Sequence, residues 1–135
     1  MLGAFEDGME KVKKRIIVAD DDTECSSLLK EFLTDIGYEV LIVRDGASLY
    51  RETPRIMPHL IISDLDMPGL SGGTAQALLR VSDKTRSIPI IFITGQPPER
   101  QARLVEFRPD TKIFQKPLDL KSLALAIEEE LAAEW

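Results

Sequence analysis

The chain has 135 residues, 44% hydrophobic and 30% charged, with seventeen basic and twenty-three acidic residues giving a net charge of −6. That length argues for one domain burying roughly 65–70% of its unfolded surface, and frequent apolar runs exclude a wholly disordered chain. No run approaches the roughly 20 apolar residues of a membrane span. The acidic balance argues against direct nucleic-acid binding. A single cysteine and a single histidine exclude an intrachain disulfide and Cys- or His-cluster metal sites.

Residues 1–14 read as a polar leader, since Lys11, Lys13, Lys14 and Arg15 crowd against the first apolar run as a solvated lead-in. The leader has no apolar stretch of the secretory kind, and a reducing, cytoplasmic setting fits. Ile16 to Ala19 is a short continuous apolar run, the pattern of a strand buried on both faces. Leu28, Leu29, Phe32, Leu33 and Ile36 then fall at helical spacing, with Asp22 or Thr23 as cap and Gly37 as stop. Val40 to Val43 is a second strand. Asp45-Gly46 opens a short helix expected to break at Pro54 and Pro58. Leu60 to Ile62 form a third strand ending at Asp64. The loop LDMPGLSGG leads to a helix around Ala75, Leu78 and Leu79. Pro89 opens a fourth strand ending at Thr94. A helix from Glu99 to Phe107, stopped by Pro109, precedes a fifth strand at Ile113 and Phe114. That strand ends at Lys116-Pro117. Asp119 caps a last helix burying Leu120, Leu123, Ile127 and Leu131. Five strands alternating with five helices imply a parallel α/β sheet covered on both faces, with its site beyond the strands' carboxyl ends.

Asp20, Asp21, Asp22, Asp64, Thr94 and Lys116 all fall at that edge. Two unit charges 4 Å apart repel by roughly 4 kcal/mol at an effective dielectric near 20, so either some carboxylates stay protonated or a cation binds. Hard oxygen ligands favour Mg²⁺. A carboxylate beside Mg²⁺ can attack phosphorus, with Lys116 as a point charge and the Thr94 hydroxyl as a donor to phosphoryl oxygens. The reaction class is phosphoryl transfer to Asp64. Cys25 reads as a small packed residue, and His59, at the opposite end of its strand, as structural.

RIIVADDD, LIISDLDMPGLSGG, IPIIFITG and IFQKPLDL together resemble the receiver domains of two-component response regulators, over about residues 15 to 134. The resemblance implies a flavodoxin-like five-stranded parallel sheet, order 2-1-3-4-5, as a receiver domain over 15–135. It implies Asp64 as phosphoacceptor, Asp21 as a direct Mg²⁺ ligand, Asp20 acting on the metal often through water, and the backbone carbonyl of Asp66 as a further ligand. Thr94 and Lys116 would contact the phosphoryl oxygens, Lys116-Pro117 would be cis, and Gly72 would match the glycine of the loop after the phosphorylated strand. The implied partners are a histidine kinase or histidine phosphotransfer protein as donor, and a homodimer or effector protein as output. Ile113 stands where the family usually carries the Tyr or Phe of its output switch. Arg108-Pro109-Asp110 replaces a small Gly-Ala stretch, and Leu65 follows the acceptor.

Two rival functions share these residues. Asp64-Leu65-Asp66 also resembles the nucleophile motif of haloacid-dehalogenase-like phosphatases, with Asp66 as acid, although that family's final acidic pair should follow the lysine. A phosphorylation-independent interaction module on a receiver scaffold usually lacks an acid, the threonine or the lysine, and all are present.

Overall fold

A computed structural model describes residues 12–101 and 112–133. Ten elements alternate in it: β1 (Arg15–Ala19), α1 (Thr23–Asp35), β2 (Glu39–Val43), α2 (Gly46–Ile56), β3 (Leu60–Asp64), α3 (Gly72–Val81), β4 (Ile90–Thr94), α4 (Pro98–Gln101), β5 (Lys112–Gln115) and α5 (Leu120–Ala132). The sheet is parallel throughout, in the order β2-β1-β3-β4-β5. This is the flavodoxin-like order that the resemblance implies.

The strands are apolar on both sides because both faces are covered. Ile17, Ala19, Ile61 and Phe92 pack with Leu49 of α2 and Ala75 and Leu79 of α3. On the other face, Ile16, Val18, Leu60, Ile62 and Ile91 pack with Leu29 and Leu33 of α1 and Leu123 and Ile127 of α5. β3 and β4 are buried along their whole length, whereas β2, at the sheet edge, is buried only at Val43. Edge placement leaves Leu41 exposed, and Leu28 and Leu78 on the helices and Ile36 just past the end of α1 also face outward. Helical spacing alone therefore drew the apolar stripes wider than the buried faces.

Asp22 caps α1, its carboxylate accepting from the N–H groups of Glu24 and Cys25 at 3.0 and 3.3 Å. Gly37 follows the helix end, and Asp45 and Asp119 cap α2 and α5. One expectation fails: Pro54 does not break α2, which runs through it to Ile56. Pro54 lies in the final turn, where its missing N–H forfeits one bond beside the exposed Tyr50. The left-handed Met57, ahead of Pro58, ends the helix. The expected leader is described only at residues 12–14, which are exposed. Most of the helix expected from Glu99 to Phe107, together with residues 108–110, lies outside the described residues.

Two glycines set how closely the loops approach the sheet edge. A Cβ on Gly46 would stand 2.0 Å from the Leu70 carbonyl oxygen, and one on Gly72 would stand 2.1 Å from that of Asp64. α2 and α3 thus begin in direct backbone contact with the segment that carries Asp64 and its following loop. Gly72 is the first residue of α3 rather than a loop residue. Gly46→Ala should lower the free energy of unfolding in urea by about 1–3 kcal/mol, the usual cost of forcing a methyl into a packed backbone contact. An unchanged midpoint would mean that the loop yields freely.

Candidate functional site

Strand alternation and register bring the acids together. Asp20 continues the row of Ile16 and Val18, and Asp64 that of Leu60 and Ile62, on the α1/α5 face. β1 pairs with β3 so that Ala19 lies opposite Ser63, which sets Asp20 beside Asp64 one residue further on. Both are buried, while Asp21 is exposed. Carboxylate oxygens of Asp20, Asp21 and Asp64 lie within 4.8 Å of one another.

Lys116 closes this cluster from the far side of the sheet. Its backbone N–H donates to the Thr94 carbonyl at 2.7 Å, and its Nζ donates to Asp20 Oδ2 at 3.1 Å and Asp64 Oδ2 at 3.0 Å. The Lys116–Pro117 peptide is cis. The other oxygens of the two acids are held by backbone: Asp22 N–H donates to Asp20 Oδ1 at 2.9 Å, and Asp66 N–H to Asp64 Oδ1 at 3.0 Å. Three carboxylates against one ammonium leave two formal negative charges, which one divalent cation would balance. The donors are all hard oxygens, so the set suits Mg²⁺.

Burial pushes the Asp64 carboxyl up to about 6, against the lowering pull of the Asp66 N–H and of Lys116, and the neighbouring Asp20 adds to the rise. Burial works to lower the Lys116 ammonium, but hydrogen bonds and charge from Asp64 and Asp20 outweigh it and keep Lys116 protonated well above its ordinary value. Cys25, half-buried on α1, is pushed up to about 12 by burial and then by its hydrogen bond and proximity to Asp20. It is a protonated, packed thiol. His59 lies at the opposite end of β3, where its Nδ1 accepts the Arg15 N–H at 3.0 Å.

Thr94 is fully buried at the end of β4, and its Oγ1 accepts the Gln96 N–H at 2.9 Å. Asp66 is exposed and its side chain stands apart from the acidic trio, accepting from Gln96 Nε2 at 2.8 Å. Ile113 is half-buried on β5 opposite Phe92, packed into the α2/α3 face. Sequence reasoning passed over two residues at this edge, Arg44 and Gln96. Arg44 Nη1 donates to Ser26 Oγ at 2.5 Å and to the Asp20 carbonyl at 3.4 Å. The available signal was position, one residue past β2 and two past Thr94.

The family model for the response regulator receiver domain matches residues 16–128. The response regulator receiver protein CpdR of Brucella abortus is 30% identical over 120 residues, covering 89% of this chain and 98% of that protein. The signal receiver domain of a signal transduction histidine kinase from Syntrophus aciditrophicus superposes with a TM-score of 0.74 at 30% identity, covering 89% of this chain and 91% of that one. The receiver domain of a sensor histidine kinase from Pseudomonas aeruginosa, solved with a magnesium ion coordinated in its active-site cleft, superposes at 0.80 with 22% identity, covering 90% of this chain and 99% of that one. The chain spans only 17% and 35% of the length of the first two curated relatives it matches.

The Asp64 shift carries a defined sign. With its folded pKa raised, the folded state takes up a proton before the unfolded chain does. Stability therefore falls as pH rises from the unfolded carboxylate range through about 6. In EDTA at pH 7.5, Asp64→Asn should raise Tm by about 3–6 °C, the equivalent of roughly 1 kcal/mol for a chain of this size. That gap should close as pH falls from 7 to 4.5. Calorimetry showing a gap that widens toward acid would reverse the assignment.

Proposed function

The chain belongs to the response regulator receiver domain family, and from that membership and the geometry of its acidic edge we propose that Asp64 is its phosphoacceptor. It is a phosphoacceptor signalling domain. The observation that carries the residue assignment is the bridge from Lys116 Nζ to Asp64 and Asp20, with Thr94 at the end of the adjoining strand. We place the receiver unit at residues 15–135, after the polar leader.

With a carboxyl near 6, Asp64 is largely ionised at neutral pH and serves as nucleophile. Its oxygen forms the new bond to phosphorus as the donor's bond to phosphorus breaks, and the donor leaves with that electron pair. Lys116 holds a positive charge where the incoming phosphoryl oxygens gather, and the Thr94 hydroxyl donates a hydrogen bond to one of them. A Mg²⁺ held by Asp20, Asp21 and Asp64, with the Asp66 carbonyl, supplies neutralisation of phosphoryl charge when bound. The catalysis is confined to the domain's own phosphorylation and dephosphorylation. His59 is remote from Asp64 and engaged with Arg15, so the donor lies outside this chain, on a histidine kinase or histidine phosphotransfer protein. The output is a homodimer or an effector protein, this domain itself makes no direct contact with nucleic acid or membrane, and its setting is the cytoplasm. Among the described residues no helix is long and apolar enough to cross a membrane. The phosphatase alternative needs Asp66 as a free acid, but Asp66 is tied to Gln96. An interaction module indifferent to phosphorylation leaves the gathered Lys116, Asp20 and Asp64 without a task.

Acetyl phosphate with Mg²⁺ should add one phosphoryl group to the protein by intact mass, and none to Asp64→Asn or in EDTA. Undiminished labelling of that variant would refute the acceptor assignment. Steady release of phosphate from small phosphomonoesters would favour the phosphatase instead.

Ile113 bears on the output. It is β-branched, stiff at χ1 and already packed against the core, so no ring can alternate between exposed and buried positions. A population shift needs a free-energy difference between two states, and here that source is missing. Beryllofluoride should move amide resonances near Asp64 and Thr94 but only weakly along β5 and α5. Equally large shifts along β5 and α5 would show that a full switch operates without the aromatic.

A further inference from the structure

Arg44 sits one residue past β2, beside three consecutive aspartates, yet among the described residues no carboxylate lies within ion-pair distance of it. Its contacts are to neutral oxygens. Nη1 donates to the Asp20 carbonyl and to Ser26 Oγ, a fully buried hydroxyl on α1 that itself donates to the Thr23 carbonyl at 3.2 Å. The preceding residue completes the grip, because the Val43 carbonyl accepts the Asp20 N–H at 3.0 Å. Two consecutive residues of one chain segment thus hold both backbone polar groups of Asp20. The Asp20 carboxylate is held as well, by Asp22 N–H and Lys116. Asp21, by contrast, has no hydrogen-bond or ion-pair partner among the described residues, so its direction follows from how the flanking backbone is fixed.

We infer that Arg44 is a positioning residue for the metal-binding loop, clamping residues 20–22 through the Asp20 carbonyl and Ser26 so that the Asp21 carboxylate is turned to the cation. The inference rests on the reading of Asp20, Asp21 and Asp64 as the Mg²⁺ site. It opposes a purely electrostatic role, in which the Arg44 charge repels the cation and its removal tightens binding.

Arg44→Gln and Ser26→Ala separate the two, since the second removes the clamp's anchor and keeps every charge. Mg²⁺ affinity is read by amide-shift titration, and exchange of the Asp20 and Asp22 amides is read in EDTA. Each variant should weaken Mg²⁺ binding about tenfold, the scale for residues that orient ligands, and speed exchange at those two amides by a similar factor. The double variant should be no worse than the weaker-binding single, because both changes break one path. Tighter Mg²⁺ binding by Arg44→Gln with Ser26→Ala unaffected would overturn the clamp, as would additive losses. A lowered Tm with faster exchange throughout α1 and unchanged affinity would reduce Arg44 to a structural role. A parent protein that binds no Mg²⁺ counts against the function, while exchange in EDTA still decides whether the clamp exists.

Discussion

Everything at the carboxyl edge depends on one ammonium group reaching two buried carboxylates. Asp20 and Asp64 end adjacent strands on the same face, out of water and side by side. Burying one unpaired charge costs several kcal/mol, and burying two like charges costs more. Lys116 offsets that cost with hydrogen bonds to both. It does so from the opposite side of β4, because the sheet order sets one strand between its own and that of Asp64. A long flexible stem with a compact charged tip suits this reach better than a planar guanidinium. The fold must therefore place the end of β5 correctly for the pair at β1 and β3 to be tolerable, and the site is as much a product of strand order as of residue identity.

The compensation is incomplete in a useful way. Lys116 is fully charged, yet the Asp64 carboxyl still sits near 6. The site keeps a residual appetite for positive charge, and its ionised Asp64 is less stable than an exposed aspartate. A domain whose function is to receive a group and change state gains from such an arrangement. A perfectly satisfied acidic cluster would have little reason to bind either a cation or a phosphoryl group.

Much of this was legible in the sequence because a parallel sheet converts strand ends into one edge. Four short apolar runs followed by Asp20, Asp64, Thr94 and Lys116 needed only the rule that crossovers return each strand in the same direction. The third aspartate of the triplet was ambiguous only between cap and site, and Asp22 is the cap. What stayed hidden depends on tertiary approach. Arg44 meets Ser26 eighteen residues earlier, and Gln96 meets Asp66 thirty residues earlier. Neither pair has a spacing or residue type that marks it. The exposure of Leu41, Leu28 and Ile36 was hidden for a similar reason, since an apolar residue does not announce whether a neighbour covers it. Pro54 shows a local rule yielding to position, because a proline costs a helix less when the turn it spoils is the last one.

The single cysteine is a side chain that senses the acidic run beside it. Cys25 is half-buried next to Asp20, and burial together with that carboxylate raises its pKa to about 12. Thiol reagents attack the thiolate, so the negative charge gathered at this edge also slows chemistry at a neighbouring thiol. Neutralising Asp20 removes part of that suppression, which ties the reactivity of an otherwise silent side chain, on the helix capped by the third aspartate, to the charge state of the acidic edge.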